Sequence, residues 1–279
     1  MTISNIFFNK KYNYTYLYFM KGVYKKITLW HYLLTTVFLL VFPLIVIIII
    51  PVVLCNDLLF GTIKGWNYNY ALFAKCFEYP FFLIGCKNKQ YYEYNHDTKK
   101  KYVFVLNHTS FFDIPEMLIG IKQPIRVLAK TGPDKVPVFG YYYRKSTVLV
   151  DRESVESRVK SIMLLKKYLE QGISIVVFPE GTFNQTNKPL KEFYDGAFKL
   201  AIETQTNIKP IILLDTYNRF HYSSYGIENG LSRMVYLQEI SVQGLTKADV
   251  NNLKQQVYNC MQEALIRYKA PWIGKEYLN

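Results

Sequence analysis

From position 27 to position 56 the chain carries no Asp, Glu, Lys or Arg. Within that stretch residues 33–54 read LLTTVFLLVFPLIVIIIIPVVL. As a helix rising about 1.5 Å per residue, such a run reaches about 33 Å, enough to cross a hydrocarbon core of about 30 Å. No soluble core helix needs so long an uninterrupted apolar run. A cleaved secretory signal fits badly, because the polar lead-in is long, the run exceeds an ordinary h-region and no A-x-A site follows. The segment reads as an uncleaved membrane anchor.

Lys10, Lys11, Lys21, Lys25 and Lys26 precede the anchor, which places the N-terminus in the cytoplasm by the positive-inside rule. One plain crossing would then put the rest of the chain outside. Two features favour a return instead. Pro43 and Pro51 interrupt the run and offer places to bend it into a hairpin or re-entrant element. A second apolar stretch, residues 70–86, contains Lys75, Glu78 and Pro80, so it suits an interfacial helix or a return leg better than an independent span. The division expected is a membrane-associating part over 1–90 and a second domain over 91–279.

The net charge is +13, from 34 basic and 21 acidic residues. Five of the basic residues are the lysines before the anchor, leaving 29 against 21, or +8, for the remainder. Nucleic acid, a phosphorylated substrate or an anionic membrane would each suit that balance. With half its residues apolar the chain cannot be intrinsically disordered. Cys55, Cys76, Cys86 and Cys260 show no C-x-x-C spacing, so neither a disulfide framework nor a zinc site is legible.

After the basic linker at 99–101 the pattern changes to short β-branched and aromatic runs at 102–106, 125–129, 147–150, 173–178 and 208–214. Helical patterns lie between and after them, at 112–121, 154–171, 195–204 and 247–268. The 154–171 helix carries Val155, Val159, Ile162, Met163, Leu165 and Leu169 along one side. Alternating strands and helices predict an α/β layer fold with a mixed or largely parallel sheet. Open sheets of this kind bind ligands outside the carboxyl ends of their strands. Three strands end in polar loops: Asn107 to Asp113, Asp151-Arg152, and Pro179-Glu180-Gly181-Thr182.

His108 and Asp113 are five residues apart. On one continuous helix they would point about 140° from each other. With His108 in the loop and Asp113 in the first helical turn, the side chains can meet, and an Asp–His pair makes a general base held in one tautomer. Ser110-x-x-Asp113 also has the spacing of a capping box, so Asp113 could instead close the helix start and His108 be an ordinary loop histidine. Arg152 presents the fork of donors that suits phosphate, or is a surface Arg between Asp151 and Glu153. Glu180, Gly181 and Thr182 offer hydrogen bonds to a polar substrate, or make a plain turn. There is no G-x-S-x-G elbow and no cluster of metal-ligand spacing, so the base would activate a hydroxyl of the substrate.

Together, Asn107-His108-Thr109-Ser110-Phe111-Phe112-Asp113, Val148-Leu149-Val150-Asp151-Arg152 and Phe178-Pro179-Glu180-Gly181-Thr182 resemble, in order and spacing, three blocks of the glycerolipid acyltransferase family. Its best-known member type is 1-acyl-sn-glycerol-3-phosphate acyltransferase. The likeness covers about residues 100–215. A fourth block departs from the family, with Asn207 where a first proline would fall and only Pro210 retained, which puts substrate contacts there in doubt. Asp195-Gly196-Ala197 also resembles the family, its small residues suggesting close helix–sheet packing. The longer runs around residues 125–145 and 189–211 resemble Bacteroidetes versions, implying a bacterial inner membrane with the catalytic domain facing the cytoplasm.

The resemblance implies that His108 deprotonates the sn-2 hydroxyl of lysophosphatidate, with Asp113 orienting its ring. Arg152 would hold the acceptor's phosphate, Glu180, Gly181 and Thr182 would shape the acceptor pocket, and Pro210 would lie in a substrate-binding strand. Acyl-CoA or acyl–acyl carrier protein would be the co-substrate, with no bound cofactor or metal, membrane lipids as surroundings and phosphatidic acid as product. Nucleic acid is not an expected partner. Glycerol 3-phosphate, a lysophospholipid or an amino-acid lipid are alternative acceptors, and a membrane lipid hydrolase is the rival from another class.

Overall fold

A computed structural model describes residues 28–278 apart from 137–138, 152 and 221–225, together with all but the side chains of 62 and 63 within that range. The five N-terminal lysines and Arg152 therefore lie outside the described residues.

Helix α1 (Leu29–Leu83) is two helices merged across one break. The break is at Gly61, whose φ of 73° and ψ of 164° only glycine adopts cheaply. Pro43 and Pro51 stay inside the first leg, contrary to the expectation that they would bend it. Once the chain is helical on both sides of a proline, the lost hydrogen bond is tolerated where neighbouring groups are packed against it. The two legs run antiparallel: Phe38 meets Phe81 at 6.0 Å between ring centroids, Phe42 stacks on Phe77 at 4.6 Å, and Asn56 Nδ2 donates to Asn69 Oδ1 at 2.7 Å near the tip. The first leg, Leu29–Gly61, is 33 residues and apolar enough to cross a membrane. Leu40, Leu44, Ile48, Leu58 and Leu59 stay exposed on its outer side, as lipid contact requires.

The chain then forms β1 (Cys86–Tyr92), β2 (Val103–Leu106), α2 (Asp113–Gly120), β3 (Ile125–Lys130), α3 (Phe139–Ser146), β4 (Thr147–Val150), α4 (Val155–Glu170), β5 (Ser174–Val177), α5 (Gly196–Glu203), β6 (Ile208–Leu213), α6 (Thr216–Arg219), β7 (Gly230–Tyr236) and α7 (Val250–Arg267). The strands make one seven-stranded sheet in the order β1-β7-β6-β2-β5-β3-β4. Every neighbouring pair is parallel except β6–β7. The expected α/β architecture is the one observed. Strand β1 straddles residues 90 and 91, so the sheet starts inside the segment expected to be the membrane part.

Two apolar layers cover the sheet. Phe104, Leu106, Val176, Ile211, Met234 and Tyr236 pack under the hairpin and α2. Val103, Val105, Ile175, Ile208, Ile212 and Val235 pack under α4, α5 and α7. Alternation along each strand produces this division, since successive side chains point to opposite faces. Helix α4 starts at its Ser154 cap, whose side chain accepts from the Ser157 amide. Of its expected apolar side only Leu165 and Leu169 are fully buried, whereas Val155, Val159 and Met163 are exposed.

The hairpin is tied to the sheet body by polar bonds as well as by packing. Tyr142 Oη donates to the Val46 carbonyl at 3.0 Å, Trp66 Nε1 to Ile125 at 3.1 Å and Tyr70 Oη to Ile121 at 3.0 Å. Thr35 Oγ1 accepts from the Ile227 amide at 2.9 Å, and Lys145 pairs with Asp57 at 2.8 Å.

Candidate active site

The carboxyl end of β2 is locked before the loop begins. Asn107 is fully buried and acts as a surrogate strand residue: its Nδ2 donates to the Leu213 carbonyl at 3.0 Å, and its Oδ1 accepts from the Leu213 amide at 2.8 Å. The next residue is His108, held through its own backbone on both sides. Its amide donates to Glu180 Oε1 at 2.8 Å, and its carbonyl accepts from the Asn184 amide at 2.6 Å.

His108 Nδ1 lies 2.8 Å from Asp113 Oδ2. The same oxygen accepts from the amides of Thr109 at 2.6 Å and Ser110 at 2.8 Å. The two readings of Asp113, closing the loop and meeting the histidine, are thus both realised, through one oxygen. Because Asp113 is fully buried with donors around that oxygen, its partner Nδ1 carries the proton, leaving Nε2 with the lone pair. The imidazole is 17% exposed and sits between Phe178 and Phe183, both at 4.4 Å between centroids. Phe111, half exposed, meets Phe183 at 4.9 Å and extends the aromatic wall outward. The result is a solvent-reachable base in an apolar slot. It can take a proton from a hydroxyl delivered there.

Glu180 comes from the loop after β5, the strand beside β2. It is 2% exposed, and both its oxygens are occupied by backbone amides, those of His108 and Lys191 (2.9 Å to the latter). Burial pushes its carboxyl up to about 8, against the pull of those two hydrogen bonds. Gly181 makes the turn with a φ of +75°, a conformation that a side chain would strain. Thr182 is exposed, with its hydroxyl accepting from Lys191 Nζ at 2.6 Å. The third block therefore pins the histidine loop from beneath and presents a hydroxyl–ammonium pair at the surface.

Pro210 is buried in mid β6, opposite Val105 and three residues short of the strand's carboxyl end. The structure does not bring it to the histidine loop. Its missing N–H falls where pairing beyond β7 is interrupted, between the Leu237 amide that its carbonyl accepts and the Ile240 pairing of Ile208. Asn207, at the irregular position, anchors the same region, its Oδ1 accepting from the Val242 amide and its Nδ2 donating to Glu239. Nothing lies within 4 Å of a Cβ built on Gly196, so the expected close packing is not the reason for that glycine. Asp195 instead pairs with Lys254 of α7 at 2.7 Å.

Asp151 follows β4, three strands from β2, or about 14 Å at about 4.8 Å per strand. Lys130, exposed at the end of β3, is one strand closer. Sequence reasoning misses it, although the run IRVLAK ends in a cation where the strand stops.

The family model described as Acyltransferase matches residues 86–214. The chain carries an Acyltransferase-family domain. An uncharacterized acyltransferase of Schizosaccharomyces pombe is 31% identical over 173 residues, covering 60% of this chain. The chain spans 61% of that relative's length, less than two thirds. The 1-acyl-sn-glycerol-3-phosphate acyltransferase of Haemophilus influenzae is 24% identical over 199 residues, covering 71% of this chain and 82% of that protein. The crystal structure of the 1-acyl-sn-glycerophosphate acyltransferase from Thermotoga maritima superposes with a TM-score of 0.72, covering 88% of this chain and 98% of that one at 21% identity. At that identity the likeness establishes the fold. Within the Acyltransferase domain the matched residues contain the His108 loop, the Glu180 turn and the end of β6.

Proposed function

We propose that this chain transfers a fatty acyl group from acyl-CoA or acyl–acyl carrier protein to the sn-2 hydroxyl of 1-acyl-glycerol 3-phosphate, making phosphatidic acid. The observation behind it is the His108–Asp113 contact, which leaves Nε2 free in an aromatic slot of an Acyltransferase-family domain. The printed activity of the Haemophilus relative supports the choice of acceptor. Nε2 takes the hydroxyl proton as the oxygen attacks the thioester carbon. The tetrahedral intermediate collapses with loss of the thiolate, which receives that proton from the imidazolium. Asp113 compensates the charge on the ring between these steps. No bound cofactor or metal enters. Acyl carrier protein, where it is the donor, is a transient partner.

Arg152 and Lys130 hold the acceptor's phosphate. Glu180 and Gly181 keep the loop in place, and Thr182 borders the acceptor. A panel of lysophosphatidate, glycerol 3-phosphate, lysophospholipids and an amino-acid lipid, each with both thioester donors, tests the acceptor. Lysophosphatidate should give the highest kcat/KM, and a higher value for another acceptor overturns the assignment. In the same panel Arg152→Ala and Lys130→Ala should each raise KM for the phosphorylated acceptor about tenfold, the value of a lost charge-assisted bond of about 1.5 kcal/mol. Unchanged KM in both moves phosphate binding elsewhere.

The apolar leg associates the protein with a membrane. We place it in a bacterial inner membrane with the catalytic domain on the cytoplasmic side, where thioester donors are available. In a Cys55→Ser background, Cys260 should react with an impermeant thiol reagent in inside-out vesicles. Reaction confined to right-side-out vesicles would reverse the orientation.

A further inference from the structure

Helix α2 carries a second carboxyl one turn beyond that of Asp113, on the same face. Glu116 is 1% exposed, and neither of its oxygens has a hydrogen-bond partner among the described residues. Asp113 Oδ1 has none either. The groups acting on Glu116 come from several elements around it. They are Asp113 of its own helix, Asp215 after β6, Arg219 of α6, Ser232 of β7 and Cys86 at the start of β1. Arg219, the cation of this cluster, is already committed to the carbonyls of Asn229 and Leu231 and lies 3.7 Å from the Glu228 carboxylate. Asp215 is held by Arg233 at 2.8 and 2.9 Å. Among the described residues the buried Ser232 hydroxyl is the one neighbour placed to act on Glu116 as a hydrogen-bond donor, and it stops short of an ordinary hydrogen bond to either oxygen.

A carboxylate in such a place would be a bare anion one turn from another anion. Buried acids so placed take up a proton instead. We propose that Glu116 is a positioning residue for the His108–Asp113 pair: it stands as a neutral carboxylic acid, and the pair keeps its working arrangement only while that acid is un-ionised. Its effect on the pair rests on the transferase reading above. Burial is the main influence on Glu116 and pushes its carboxyl up to about 8. Asp113 and Asp215 add to the rise, while Ser232 and Arg219 oppose it. Ionisation would demand water or a swing of the side chain, and either disturbs the first turn of α2. That turn is what presents Asp113 to the loop amides.

Between the ordinary carboxyl value of 4.5 and about 8, the folded chain keeps a proton that the unfolded chain releases. Glu116's contribution to stability is therefore full below pH 4.5 and is lost as pH rises toward 8. Glu180 has the same tendency, so a comparison must isolate Glu116.

Glu116→Gln does so. Thermal midpoints of the full chain in lipid–detergent micelles are measured from about pH 5 to about 8.5, and acyl transfer from about pH 6 to about 9.5. The glutamine variant's midpoint should rise relative to wild type across the first range. Its ratio of rates at pH 9 and pH 7 should exceed the wild-type ratio at least about fivefold. Parallel midpoint curves overturn the neutral acid, and coincident pH–rate profiles overturn the link to the pair. If the glutamine chain fails to accumulate, Glu116→Met, apolar and similar in volume, is put through the same two measurements, and the same outcomes decide. The midpoints need no turnover, so diverging midpoints support the neutral acid even in a chain inactive toward every acceptor. Such inactivity would count against the transferase reading.

Discussion

Replacing His108 with alanine is expected to lower the turnover of acyl transfer by about 10²–10⁴-fold, the usual contribution of a general base. The fold should survive, because the bonds that place the loop do not use the imidazole. The His108 amide still donates to Glu180, its carbonyl still accepts from Asn184, and Asn107 still clamps β6. Asp113 retains the Thr109 and Ser110 amides. The expected signature is a kcat collapse with a thermal midpoint close to wild type. Near-normal turnover in the alanine variant would remove His108 from the reaction. A midpoint lost together with activity would mean that the ring between Phe178 and Phe183 chiefly supports packing.

Asp113→Asn should cost about two to three decades in kcat while leaving the histidine tautomer intact. The reason lies in the unequal use of the carboxylate. All three donors converge on Oδ2, and Oδ1 has none. An asparagine with its oxygen at the Oδ2 position keeps every hydrogen bond, so only the negative charge is removed. A unit charge about 4 Å from an imidazolium is worth about 4 kcal/mol at an effective dielectric of about 20. Asp113→Ala should behave differently. It leaves two buried amides without acceptors, at about 1–3 kcal/mol each, and so lowers the thermal midpoint as well. Steady-state kinetics and thermal melts on the two variants separate charge from scaffold. If the asparagine variant turns over at the wild-type rate, Asp113 only shapes the loop.

What can be read from the sequence follows from which forces act locally. Strands β2, β5 and β6 are buried on both faces, so they stand out as largely apolar runs, and β3 and β4, buried only in part, still stand out by their β-branched residues. Strand β1, CKNKQYY, is an edge strand with a mostly solvated surface, and no apolar pattern marks it. Helix α3, FGYYYRKS, owes its place to contacts with the distant hairpin, such as Tyr142 on Val46, and a local pattern cannot reveal them. The hairpin is legible as two apolar stretches. Its bend is not, because prolines are the stronger breakers in isolation, whereas a reversal of direction needs the positive φ found at Gly61. At the site, the spacing of His108 and Asp113 foretells their meeting. The role of Glu180 is hidden, because a carboxylate that accepts two backbone amides looks in sequence like one that faces a ligand. Glu116 carries no signal at all. An acidic residue in the first turn of a helix is ordinarily a solvated partner of the helix dipole.

The bonds from the hairpin to the sheet body have a mechanical meaning. Val46, Trp66 and Tyr70 are joined to α3, β3 and the end of α2, and Phe38 and Phe81 press on Phe112, which precedes Asp113. The apolar leg and the loop that carries His108 are thus joined through one packed core. On the membrane-bound reading proposed above, the depth of the leg in a bilayer would set how high His108 stands above it. A thicker or thinner bilayer, by drawing the leg up or down, would change the distance that an acceptor's glycerol must rise to reach Nε2.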